Sequence, residues 1–223
     1  MKCDITCEDD VRYCFNEIKR REKEIGVLIN NSGFGISGPT LETPVDIAKK
    51  QFEVNFFGHH LVTSYFINII KRGKGKILFT SSLASPFSIP FQSFYSASKS
   101  SIESYAKALR NEIRDFGIDV CYIRLGDTKT SFTKNRIKLG LDNGRYNAID
   151  SIRKMEIDEE NGMDPRVVAK FYFKLIKRKH LKVEYTIGRK NKFLVRLNKF
   201  LPTNYVNKIV RKLYVTNSEK END

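Results

Sequence analysis

"LINNSGFGISGP", residues 28–39, is the stretch whose reading decides the fold. An apolar strand over 27–29 runs straight into Asn30 and Asn31, then Gly33, Gly35 and Gly38 follow in quick order. A loop this rich in glycine lets another group approach its backbone closely. In an open parallel sheet, ligands bind outside the carboxyl ends of the strands, so such a loop directly after a strand marks one wall of a binding crevice.

The flanking chain supplies the rest of that sheet. Val11, Phe15 and Ile18 recur at helical spacing, and Glu8, Asp9 and Asp10 open that helix where the helix dipole favours acids. The strand over 26–29 follows. A second helix begins near Pro44, carries Ile47, Phe52, Phe56 and Leu61, and reaches about Lys71 before "RGKGK" (72–76) ends it. "KILFT" (76–80) reads as a buried strand and "SSLAS" (81–85) as the loop after it. A third helix over 93–116 has Ile102, Ala106, Leu109 and Ile113 as its core stripe and stops at Gly117. "IDVCYIR" (118–124) is the next strand, a long polar segment runs to about Met163, Asp164-Pro165 opens another helix, and 183–187 gives a last short strand. Strand alternating with helix in this rhythm predicts a parallel α/β sheet.

Composition sets the bounds. The chain has 223 residues, 40% hydrophobic and 30% charged, enough for one domain with a sizeable core. No apolar run has the length to span a bilayer, and Met1-Lys2-Cys3-Asp4 has no signal-peptide character, so a cytoplasmic protein is expected. Cys3, Cys7, Cys14 and Cys121 match no zinc or redox spacing, and His59, His60 and His180 lack partners at metal-ligand spacing, so no metal is expected. The net charge of +14 is uneven: residues 177–212 hold twelve Lys and Arg against one acid, Glu184. Basic residues interleaved with aromatics on a nucleic-acid platform are absent from the pattern, which argues against nucleic acid.

The loops after 29, 80 and 124 are therefore where chemistry belongs. The second contains Ser82. The third helix carries Tyr95 and Lys99, four apart and hence on one face, and the second helix carries one internal polar residue in an apolar setting, Asn55 in "FEVNFFG" (52–58). A tyrosine hydroxyl of ordinary acidity is a poor acid-base group at neutral pH, and an ammonium one turn away is expected to bring it towards the working range. Ser82 would donate a hydrogen bond to a substrate oxygen on which negative charge develops. Asn55 would hold a water that connects Lys99 to solvent. The set suits proton transfer to or from a carbonyl or alcohol oxygen.

"NNSG" (30–33), Asn55, Ser82, "YSASK" (95–99) and "LGDTKT" (125–130), in this order and each at the end of the expected element, resemble the short-chain dehydrogenase/reductase family from about Cys3 to Ile187. The resemblance implies a Rossmann-like, doubly wound parallel sheet with strand order 3-2-1-4-5-6-7. It implies that Tyr95 is the catalytic acid/base, Lys99 its partner and a ligand of the nicotinamide ribose, Ser82 the group that polarises the substrate oxygen, and Asn55 the end of a proton relay. A bound NAD or NADP would carry the hydride. Asn30, Ser32 and Gly33 would line that cofactor with Tyr95 and Lys99, Asp4 and Ile5 would meet its adenine, and Thr128 and Thr130 its nicotinamide side. The substrate would be a small carbonyl or alcohol compound, interconverted between ketone and secondary alcohol, and the family often pairs its subunits as homo-oligomers.

The pattern departs from the family in three places. Ser32 replaces the usual Ala, and Leu125 stands where Pro usually precedes Gly126. Family members also place roughly 50 residues before the counterpart of Asp4, carrying the glycine-rich pyrophosphate loop. Residues 1–30 hold no such loop. The expectation is an N-terminally truncated Rossmann-like domain over 1–190, Met1 an internal methionine, the strand over 26–29 an open apolar edge, and the chain inactive by itself.

Beyond that domain, "NKFLVRLNKFLPTNYVNKIVRKLY" (191–214) reads as a basic amphipathic helical extension over 191–216, broken at Pro202, with a disordered tail over 217–223. Phe193, Leu194, Leu197, Phe200 and Leu201 form its first apolar face, and Val206, Ile209, Val210 and Leu213 its second. The extension either packs over the active site or lies on an anionic membrane surface, which would make the protein membrane-peripheral. The alternative function is a non-catalytic remnant that binds a partner or membrane through this basic end. Residues 131–163, with Phe132, Ile137, Leu139, Leu141 and Tyr146, would form a lid over a partly apolar substrate.

Overall fold

A computed structural model describes residues 1–140 and 148–215; Leu141, Tyr146 and the 217–223 tail lie outside the described residues. The strands are β1 (Val27–Asn30), β2 (Ile36–Ser37), β3 (Lys76–Ser82), β4 (Asp119–Leu125), β5 (Ile137–Lys138) and β6 (Glu184–Thr186). The main sheet runs β1-β3-β4-β6, all parallel, with Val27 opposite Lys76, Lys76 opposite Asp119 and Tyr122 opposite Glu184. That is the 4-5-6-7 part of the order implied by the family resemblance. Away from β3, the edge of β1 pairs with no strand among the described residues, and Ile29 is exposed there.

Side chains alternate between sheet faces, and here both faces are buried. Ile77, Phe79, Val120 and Tyr122 face one way and pack with Ile102 and Ala106 of α5 (Ser93–Glu112). Leu78, Cys121 and Ile123 face the other way onto Tyr172 and Leu175 of α7 (Pro165–Ile176). Each fully buried aliphatic or aromatic side chain stabilises such a core by about 1.5–3 kcal/mol. The side chain of Asp164 caps α7 by accepting from the Arg166 backbone N–H at 2.7 Å, and Pro165 occupies the first turn, where its missing N–H costs nothing. Helix α1 (Glu8–Arg21), acidic at its start and basic at its end, packs through Phe15 on Tyr65 and Phe66 with edge-on rings 5.9 and 5.5 Å apart.

The segment read from sequence as one helix over 44–71 is divided. It consists of α2 (Val45–Phe52), a π-helical turn (Glu53–Phe57), α3 (Gly58–Phe66) and a 3-10 turn (Ile67–Ile69). The π turn is the kind of local insertion that proteins place at functional sites, and Asn55 lies in it. Helix α5 gives way to a 3-10 turn (Arg114–Phe116) closed by Gly117 at φ +66°, a conformation that favours glycine.

The polar segment after β4 is more structured than periodicity suggests. Strand β5 pairs in parallel with β2, and α6 (Ala148–Glu160) follows. Two-residue strands leave too short a pattern to read from sequence. A short helix α4 (Ala84–Phe87) succeeds β3. The extension forms α8 (Arg189–Asn198) and α9 (Thr203–Tyr214), divided at Pro202 as the sequence indicates. Its burial corrects the packing expectation. Val195, Val206 and Val210 face inward, whereas Phe193, Leu194, Leu197 and Phe200, expected as a packed apolar face, are exposed. No helix of the described residues is long and apolar enough to cross a membrane.

Candidate active site

At the carboxyl end of the sheet, β3 ends at Ser82 directly opposite Leu125 of β4, and the first turns of α5 bring Tyr95 and Lys99 to the same end. The Lys99 ammonium is buried and donates to the Thr80 carbonyl at 3.0 Å, on the strand that carries Ser82. Its Nζ lies 5.8 Å from the centre of the Tyr95 ring. Burial pushes Lys99 down to about 8, because the charged form is removed from water with no carboxylate partner among the described residues.

Burial likewise pushes Tyr95 up to about 12, opposed by hydrogen bonding to the Ser82 side chain; Glu159 raises it further and Arg136 lowers it. The net direction is opposite to the acidification expected from Lys99: burial is the largest cause, and the phenol is protonated at neutral pH. The Tyr95 ring is half-buried and sits 5.5 Å from that of Phe132 in the segment after β4.

Asn55 is fully buried and holds the glycine loop. Its Oδ1 accepts from the Phe34 N–H at 3.1 Å, and its Nδ2 donates to the Phe34 carbonyl and to Ser98 Oγ, both at 3.1 Å. One turn earlier, Gln51, also fully buried, accepts from the Ile36 N–H at 3.0 Å and donates to the same Phe34 carbonyl at 2.5 Å. Gly33 lies against this cluster: a Cβ there would stand 3.0 Å from Asn55 Oδ1 and 3.5 Å from Lys99 Nζ. The glycine keeps open a cradle between the loop and the lysine.

Asn55, Gly33, Lys99, Tyr95 and Ser82 are thus brought together. The remaining predicted residues stand differently. The Asn30 side chain turns inward and donates to Thr63 Oγ1 of α3 at 3.0 Å, leaving only its backbone to the crevice. Ser32 is exposed, and its carbonyl accepts from His59 Nε2 at 2.8 Å. Asp4 accepts from the Thr6 N–H and hydroxyl at 2.9 and 2.7 Å, which lowers its carboxyl, and Ile5 packs against Gly58 of α3. Thr128 donates to the Gly126 carbonyl at 2.9 Å and Thr130 accepts from the Phe132 N–H at 3.2 Å, so both hydroxyls shape their own loop.

Three residues were not singled out from sequence. Gln51, four before Asn55, follows Lys49 and Lys50 and carries no signal that sets it apart from them. Ser98 has none among the serines of "YSASKSS" (95–101). His59 is 1% exposed, with Nε2 carrying the proton given to Ser32 and Nδ1 without a partner among the described residues. Burial and the Lys99 charge push it down to about 4, so it is neutral.

Comparison with known proteins agrees with this fold. The sequence profile of the family described as short chain dehydrogenase matches residues 1–138. A 3-ketodihydrosphingosine reductase of Bacteroides thetaiotaomicron is 33% identical over 217 residues, 95% of this chain and 81% of that protein. The probable short-chain type dehydrogenase/reductase VdlC of Helicobacter pylori is 30% identical over 218 residues, 93% of this chain and 78% of that one. A crystal structure of a short-chain dehydrogenase from Streptomyces avermitilis superposes with a TM-score of 0.78 at 20% identity, covering 95% of this chain and 79% of that one, and so shares the fold. A parallel sheet in the family's order, the loop–Asn–Ser–Tyr–Lys arrangement at its carboxyl end and these matches lead to one assignment: the chain belongs to the short-chain dehydrogenase family of oxidoreductases.

Proposed function

We propose that the protein interconverts a ketone and a secondary alcohol with NAD or NADP, and that Tyr95 is its acid/base. The observation that carries the reading is the joint placement of Ser82, Tyr95 and Lys99 beside the cradle at Gly33. The Bacteroides thetaiotaomicron relative, a reductase of 3-ketodihydrosphingosine, supports a ketone as the substrate class.

The cradle fits a nicotinamide cofactor. A buried ammonium faces it, no Cβ fills it, and the exposed backbone of residues 31–33 forms its outer wall. Lys99 would hold the ribose hydroxyls, and Gly33 with the backbone of Asn30 and Ser32 would line the ring side. When bound, the cofactor supplies or takes the hydride, which no side chain can do.

This chain's residues manage the proton and the developing charge. Tyr95, protonated at neutral pH, donates its phenolic proton to the substrate oxygen in the reducing direction. Ser82 Oγ donates a hydrogen bond to that same oxygen as it gains negative charge. The Lys99 ammonium stabilises the phenolate left behind. Asn55 fixes the loop and Ser98, so that the distance between cradle and Tyr95 is set before substrate arrives.

The test is ketone-dependent oxidation of NADH and NADPH by the protein as its whole gene encodes it, beside its Tyr95→Phe variant. The expected result is a fall in kcat of about 100-fold or more with cofactor binding retained. An unchanged rate in Tyr95→Phe would overturn the assignment.

A further inference from the structure

The apolar residues of α8 and α9 divide into two stripes. Val195, Val206 and Val210 are buried and dock the pair onto the domain. Asn198 Nδ2 donates to the Pro86 carbonyl of α4 at 3.3 Å, and the carbonyls of Leu213 and Tyr214 accept from Lys154 (2.7 Å) and Ser151 of α6. The other stripe is left to solvent. Phe193, Leu197 and Phe200 follow one another at helical spacing on α8 and just past its end, and Tyr205, Ile209 and Leu213 do so on α9. Phe193 is 65% and Phe200 78% exposed.

Eight Lys and Arg residues lie among them, from Arg189 to Lys212, and no acid occurs from 189 to 214. All eight are exposed, and among the described residues only Lys199 of the eight has a carboxylate partner, Glu184 at 2.6 Å. Charge decides what such a face meets. A second copy of the same face would set cation against cation with no acid between. Nucleic acid would satisfy the charge but offers no apolar phase for Phe193 and Phe200. A bilayer with anionic headgroups satisfies both at once.

We propose that α8 and α9 form a membrane-surface anchor. They lie in the interface of an anionic bilayer, with the Phe193, Leu197, Phe200, Tyr205, Ile209 and Leu213 stripe among the acyl chains and the basic residues on lipid phosphates. Because the pair is docked on α4, which directly follows Ser82 and Leu83, and on α6 of the lid segment, the anchor turns the mouth of the candidate active site towards the membrane. The anchor does not depend on the proposed reaction.

The sequence contains no Trp, so Phe200→Trp creates a single fluorescent reporter on the exposed stripe. The full chain carrying it is mixed with vesicles of phosphatidylcholine alone or of equal parts phosphatidylcholine and phosphatidylglycerol. The expected result is co-sedimentation with the anionic vesicles only, and a blue shift of the reporter's indole emission. Phe193→Asp combined with Phe200→Asp in the otherwise native chain lowers the bound fraction about tenfold or more, with folding kept because both positions are exposed. Three results would overturn the anchor: no binding to anionic vesicles, binding without blue shift and untouched by the double substitution, or a concentration-dependent dimer that the double substitution dissolves.

Discussion

The Asn55 side chain holds both backbone polar groups of Phe34, the N–H and the carbonyl, each at 3.1 Å. One buried amide thereby stands in for a strand partner along a loop that has none at this point. Asn55→Ala leaves the part-buried Phe34 N–H without that acceptor, a loss of about 1 kcal/mol. Urea unfolding measures the loss, and hydrogen exchange should quicken first at residues 33–37. Exchange unchanged in the loop would show that Gln51 alone suffices to hold it.

His59 gives the fold an acid sensitivity of its own. Its folded value of about 4 lies below the ordinary 6.5, so between these values the unfolded chain takes up a proton that the folded one refuses. The associated stability is complete above about pH 6.5 and falls as pH drops towards 4, by about 3 kcal/mol in all. His59→Gln should flatten the difference between unfolding free energies at pH 7 and pH 4.5. An equal slope in both proteins would place the acid sensitivity elsewhere.

Lys99 is expected to trade stability for function. Held at about 8 against an ordinary 10.5, its ammonium costs the fold free energy below pH 8, a cost that fades as pH rises to 10.5. Lys99→Met keeps the apolar stem, removes the charge and gives up the bond to Thr80. The variant should unfold at higher temperature at pH 7, by a net of about 2 kcal/mol, with the gain closing by pH 10.5. Its oxidoreductase rate should fall with the loss of the ammonium. A variant less stable than wild type at pH 7 would contradict the burial argument.

Beneath the site, Arg124 and Glu103 form a buried pair, with Nε to Oε1 at 2.8 Å and Nη2 to Oε2 at 2.5 Å. Ser81 Oγ also donates to Glu103, and Arg124 Nη1 reaches Glu184 at 3.1 Å. Removing one partner leaves an uncompensated buried charge, so Glu103→Leu should cost about 3–5 kcal/mol. Removing both should cost much less, and the double variant Glu103→Leu with Arg124→Leu is predicted to recover most of the loss in chemical denaturation. Additive losses would mean that Glu184 and Ser81 carry the network.

The main strands and helices were legible because each carries its own local signal. "KILFT" (76–80) and "IDVCYIR" (118–124) are apolar enough to be strands buried on two faces, and Gly117, Asp164-Pro165 and Pro202 mark their boundaries by backbone chemistry alone. Asn55, Ser82, Tyr95 and Lys99 were legible through their order and spacing along those elements. The β2–β5 pair was not, since its partners are about a hundred residues apart and two residues long. The outward stripe of α8 and α9 could not be assigned either: Phe193 and Val195 are both apolar, and which of them is buried depends on how the helices meet α4 and α6.

What the sequence by itself determined is the parallel α/β order and the candidate residues at its carboxyl end, because hydrophobic period, turn chemistry and motif spacing are properties of the chain. What only the tertiary structure decided is the charge state and hold of those residues. A protonated Tyr95, a weakened Lys99 ammonium, a neutral His59 under Ser32 and an Asn55 clamped on Phe34 all follow from burial and from partners distant in sequence. Desolvation acts on a side chain only once the other elements have closed around it.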